Sequence, residues 1–123
     1  MNSKKGPLWK SFYYAFQGIF KSLRLERNMF IHFSIMCIVI IAGFVFSISV
    51  YEWLICILLF GLVISLELVN TAIENAVDLT TIDINPKAAA AKDTAAGAVL
   101  IASIISIVIG LIIFIPKAIA LLS

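Results

Sequence analysis

Glu67, Asn70, Glu74 and Asp78 fall within twelve residues, at spacings of three, four and four. On an α-helix each residue advances about 100°, so these four, with Thr71 beside Asn70, share one narrow stripe. Leu66, Leu68, Val69, Ile73 and Val77 lie between them and can face lipid or neighbouring helices. The stretch Ser65–Asp78 closes a long apolar run that begins at Trp53. An ionisable group at the centre of a membrane-spanning helix costs about 2.5–3.5 kcal/mol, and less near the interface. Several on one stripe point to a site inside a bundle. Such a site offers carboxylates for proton transfer and oxygen atoms for a hard cation.

The run Glu67-Leu68-Val69-Asn70-Thr71-Ala72-Ile73-Glu74-Asn75-Ala76-Val77-Asp78 closely resembles the signature E-x-x-N-[ST]-A-I-E-x-x-V-D of the small prokaryotic diacylglycerol kinases. Ala91-Lys92-Asp93-Thr94-Ala95-Ala96-Gly97-Ala98-Val99 is similar to that family's second block. The two blocks stand in the expected order, and length and hydropathy match over nearly the whole chain. The resemblance implies an ATP- and Mg²⁺-dependent lipid kinase that works as a homotrimer with composite sites. It implies Glu67 as catalytic base and Glu26 and Glu74 as metal ligands. Asn70, Asp78, Lys92 and Asp93 become essential neighbours, and Tyr14 aligns with a tyrosine that lies near the nucleotide.

The residues can support that chemistry. A kinase needs a base for the acceptor hydroxyl, cation ligands, and positive charge near the transferred phosphoryl group. The soluble solutions are absent: the glycines at 6, 18, 43, 61, 97 and 110 nowhere form G-x-x-x-x-G-K, and there is no H-R-D. A carboxylate solution remains. Glu26 and Glu74, both at the cytoplasmic level, can share a Mg²⁺, which prefers oxygen ligands. Lys92 can pair with phosphates and Asp93 can orient it, although in isolation Asp93 reads as a helix cap. Glu67 lies about two turns, roughly 10 Å, deeper than Glu74 and meets a lipid hydroxyl near the headgroup level. Asn70, one turn away, can hold Glu67 or the acceptor.

The elements that position these groups follow from composition. With 63% hydrophobic residues in 123, the chain is too apolar for an ordinary soluble domain and long enough for one compact unit. The pattern predicts an all-α membrane protein, with a surface helix over about 8–25 and spans over about 29–49, 53–76 and 94–115. In the first, Leu8, Trp9, Phe12, Phe16, Ile19, Phe20 and Leu23 recur at helical spacing opposite Lys10, Gln17, Lys21 and Arg24. Tyr51 and Trp53 read as interface anchors at the outer turn. Residues 79–91 read as a connection broken at Pro86, and Pro116-Lys117 as the end of the third span.

Lys4, Lys5, Lys10, Lys21, Arg24 and Arg27 precede the first span, Lys87 and Lys92 lie between the second and third, and Lys117 follows the third. The loop near Val50–Trp53 has no basic residue. This places the N-terminus in the cytoplasm of a cell-membrane protein. Membrane-surface attraction accounts for the basic residues without nucleic acid. Cys37 and Cys56 read as small hydrophobes, and no cleavable signal peptide is evident.

Glu26-Arg27-Asn28 with His32 is similar to the family's Gram-positive branch, which implies undecaprenol as the acceptor; diacylglycerol remains the alternative. His32 itself reads as structural. Asn85-Pro86 departs from the family's His-Pro, which puts contacts made through that histidine in doubt. A non-enzymatic alternative is a small transporter or channel subunit whose acids line an ion path. Against it, the charges gather toward one membrane face, whereas a path needs polar residues deep in every span.

Overall fold

The computed structural model describes residues 6–80 and 83–123. Four helices follow one another: α1 Leu8–Leu25, α2 Arg27–Val45, α3 Val50–Thr80 and α4 Pro86–Leu122. Among the described residues there is no strand. The last three helices are long and apolar enough to cross a membrane, and most of their large side chains face outward. This is an all-helical membrane protein, as the pattern predicts.

The surface helix spans the expected residues, and none of them is buried within the chain. Leu8, Trp9, Phe12, Phe16 and Phe20 are all exposed, an apolar face suited to the membrane interface. One residue separates α1 from α2. Glu26 is extended (φ −101°, ψ 118°); its N–H donates to the Ser22 carbonyl at 2.9 Å and its own carbonyl accepts from Phe30 N at 3.1 Å. The chain thus turns from the surface into the membrane at a residue already singled out for chemistry.

At about 1.5 Å per residue, the 19 residues of α2 match the roughly 30 Å hydrocarbon layer. Its end carries two reversed hydrogen bonds, Ile48 N to Gly43 O at 3.1 Å and Ser47 N to Phe44 O at 3.3 Å. That double closure needs a left-handed residue, and Ser47 takes it at φ 51°, at a cost of about 1 kcal/mol that glycine would avoid. Ser49 and Glu52 then cap α3 reciprocally. Ser49 N donates to Glu52 Oε1 at 2.9 Å and Glu52 N to Ser49 Oγ at 3.2 Å. Glu52 also meets Lys117 of α4 at 3.1 Å. The turn between α2 and α3 is therefore residues 46–49, just before the stretch expected from charge alone.

Tyr51 is exposed, as an interface anchor should be, but Trp53 is not a free anchor. Its half-buried ring lies 4.9 Å from that of Phe44 and covers Gly43, where an added Cβ would come within 2.5 Å of the indole. Glycine is required by that approach. Gly43→Ala is expected to destabilise the fold by about 1–3 kcal/mol through overpacking, read as a lower unfolding temperature in detergent.

Two helix ends differ from expectation for the same reason. α4 starts at Pro86, not near Thr94, because proline is well suited to a first helical position and Asn85 caps it, its Oδ1 accepting from Lys87 N at 2.9 Å. The alanine-rich run that follows favours helix strongly. Asn85 thus has a structural task. Asp93 lies inside α4 and is not its cap. At the other end the helix runs through Pro116 to Leu122, since a proline in an apolar helix forfeits one hydrogen bond but not the surrounding ones.

α3 is central and touches all three other helices, with α4 packed along it. Ile48, Cys56 and Ile113 form the core at the outer end, with Phe46 and Phe114 in edge contact at 6.1 Å. α2 and α4 flank α3 around a groove of about 500 Å³ that runs from His32 to Ile113 and Phe114.

Candidate functional site

The stripe of α3 runs from buried to exposed. Glu67 is 2% exposed, Asn70 5% and Thr71 8%, while Glu74 is half-buried and Asp78 lies in the open. These three are the buried polar residues among those described. The helix therefore carries its carboxylates from a water-excluded depth to a solvated surface in three turns. Asn70 Nδ2 donates to Glu74 Oε1 at 3.1 Å, and the amide also lies beside Glu67. Asn70 Oδ1 is buried with no partner, which costs about 1–3 kcal/mol.

Asp78 pairs with Lys92 of α4 at 2.6 Å. This corrects the expected pairing of Lys92 with Asp93, since adjacent residues on a helix point about 100° apart. Asp93 is exposed on a different face of α4. The Asp78–Lys92 pair joins the inner ends of α3 and α4 and brings a positive charge to the lower end of the stripe.

Glu26 lines a cleft of about 550 Å³ between α1 and α3, with Lys21 and Ser22 on one wall and Thr71 and Asn75 on the other. Thr71 is common to the cleft and the stripe, so Glu26 borders the carboxylate cluster from its flank. Tyr14 is not among the cleft residues; its ring packs edgewise on Tyr13 at 5.6 Å on the exposed side of α1. Tyr14 makes no hydrogen bond to any of these carboxylates.

Among the described residues no three acidic, histidine or cysteine side chains converge as a ready cation cage. Magnesium does not require one, because it keeps waters and phosphate oxygens and takes one or two carboxylates. The oxygen donors present, Glu74 beside the unpartnered Asn70 Oδ1, fit that chemistry.

One approach that sequence reasoning did not place is that of His32 to Glu67. His32 Nε2 lies 3.8 Å from Glu67 Oε2, and both side chains are withdrawn from solvent. Depth held the signal: His32 is six residues past Glu26, about 9 Å into the membrane, and Glu67 is about 10 Å deeper than Glu74. Two groups at equal depth on neighbouring helices are candidates to meet.

One membrane-spanning helix thus carries a buried carboxylate, a half-buried one and an exposed one paired with a lysine, a set suited to an integral-membrane enzyme. The chain belongs to the prokaryotic diacylglycerol kinase family, which it matches over residues 13–114, a range that includes every site residue named above. It is 51% identical over 109 residues to the undecaprenol kinase of Bacillus subtilis (strain 168), across 89% of each chain. It is 36% identical over 113 residues to the diacylglycerol kinase of Synechocystis sp., covering 91% of this chain and 65% of that protein. No solved structure gives a significant match. The chain is a lipid kinase of the membrane, and the ion-path reading falls away.

Proposed function

We propose that this kinase transfers the γ-phosphoryl group of ATP to the terminal hydroxyl of undecaprenol, giving undecaprenyl phosphate and ADP. The observation that carries the reading is the 51% identity to an undecaprenol kinase across 89% of both chains. The 36% identity to a diacylglycerol kinase keeps diacylglycerol as the second reading. Glu67 accepts the proton of the lipid hydroxyl as its oxygen attacks phosphorus and the bond to the β-phosphate oxygen breaks. Asn70 holds the carboxylates in register. Lys92, paired with Asp78, supports the nucleotide phosphates, with Asp93 on the adjoining face of α4, and Tyr14 of the surface helix borders the nucleotide.

Magnesium, when bound, offsets phosphate charge; Glu74 and Glu26 are the carboxylates that would hold it, with Asn70 Oδ1 nearby. Basic residues before α2 and between α3 and α4 support a cytoplasmic N-terminus, where ATP is available. A homotrimer with shared sites completes the reading, because within one chain Tyr14 makes no hydrogen bond to the carboxylates and Glu26 borders them from the flank.

Purified enzyme in vesicles, supplied with ATP, Mg²⁺ and either undecaprenol or diacylglycerol, tests the substrate. Preferred phosphorylation of undecaprenol is expected; a higher kcat/KM with diacylglycerol reverses the assignment. Glu74→Gln is expected to raise both the Mg²⁺ requirement and the KM for ATP by about tenfold or more. Unchanged Mg²⁺ titration in that variant removes Glu74 from the metal.

A further inference from the structure

His32 is absent from the roles above, yet it is the group that another helix brings to the proposed base. Glu67 is 2% exposed, and the charges it feels from Glu74 and Glu26 have its own sign. Asn70 touches it from one turn along the same helix but divides its amide between Glu67 and Glu74. Across the helix interface, His32 Nε2 stands 3.8 Å from Glu67 Oε2, with its side chain 20% exposed. Catalytic hydrogen bonds are often long before substrate binds and shorten in the reacting complex. A carboxylate held by one shared amide can turn about its last bond; a second donor on a different helix stops that rotation.

The surroundings of His32 are apolar. His32 lines the inner end of the α2–α4 groove, whose walls include Met36, Val39, Phe60 and Ile107. The groove is almost wholly apolar, so water is a poor substitute for the imidazole there. Ser103 Oγ, on the same wall, is buried without a partner. His32 therefore stands between an apolar passage and the buried carboxylate.

We propose that His32 is a positioning residue for phosphoryl transfer: its Nε2–H holds Oε2 of Glu67 and leaves Oε1 directed at the lipid hydroxyl. The proposal rests on Glu67 being the base, and its test separates the two. His32→Leu removes the donor and keeps the volume, whereas His32→Gln places an N–H near the position of Nε2. With enzyme in undecaprenol-containing vesicles, His32→Leu is expected to lower kcat by about 10- to 100-fold, the scale of a misplaced catalytic group. The KM for ATP stays within about twofold, and His32→Gln recovers most of the loss.

Wild-type kcat in His32→Leu overturns the proposal. So does an equal loss in the Leu and Gln variants, or a loss that tracks a lowered unfolding temperature, since either describes packing. If leucine prevents folding, methionine at 32 serves as the variant without a donor. Glu67→Gln, assayed in parallel, distinguishes the failures: activity retained there sinks the base assignment, whereas activity lost there with His32→Leu unaffected sinks only the role of His32.

Discussion

In the Glu67→Gln enzyme, turnover falls by about 10²- to 10⁴-fold while ATP still binds. That range is what a positioned general base contributes. Glutamine keeps the shape of the side chain, and at 2% exposure a neutral amide is easier to bury than a carboxylate, so the helix has no reason to unfold. The nucleotide contacts assigned to Glu74, nearer the surface on the same stripe, and to Lys92 on α4 remain in place. Turnover and the KM for ATP, measured on the same preparation, give the answer. Should ATP binding fail as severely as in Glu74→Gln, the deep and shallow carboxylates have exchanged roles.

The second large effect is a recovery. Glu67→Gln and Glu26→Gln chains, each inactive alone, are expected to regain activity when co-assembled. Glu26 borders the face of α3 that carries Leu68, Thr71, Ala72 and Asn75, a face that shares only Thr71 with the Glu67–Glu74 stripe. Under the proposed trimer, a neighbour completes the stripe. In a symmetric trimer whose sites take Glu67 from one chain and Glu26 from the next, random mixing in equal amounts makes about a quarter of the sites intact. Activity near a quarter of wild type is the expected reading. No recovery from folded, co-assembled chains places both carboxylates in one chain and ends the shared-site reading.

The carboxylate stripe was legible because helical periodicity is rigid: residues at 67, 70, 74 and 78 must share a face wherever the helix goes. The surface helix was legible for the same reason. Helix ends were not, because Pro86 and Pro116 act through context. The first follows a capping asparagine and precedes alanines, so it starts a helix; the second sits among apolar residues, so it fails to stop one. The Ser49–Glu52 cap was visible as Ser-x-x-Glu before an apolar run but was obscured by reading Trp53 as the start. Asp93 and Lys92 were adjacent in sequence and therefore taken as a pair, although helix geometry separates neighbours and brought Asp78 to the lysine instead. His32 required knowing which helices touch. Single-helix patterns contain no such information, and only the comparison of depths hinted at it.

Glu26 is one peptide unit between two rigid rods, one resting on the membrane and one crossing it. Its carboxylate has no private backbone freedom, since a roll or a change in depth of α1 is a displacement of Glu26 relative to α3. Under the proposed function, the lipid surface is thus mechanically geared to a metal-holding residue, and bilayer thickness and headgroup charge become variables of the rate, registered through the angle at a single corner.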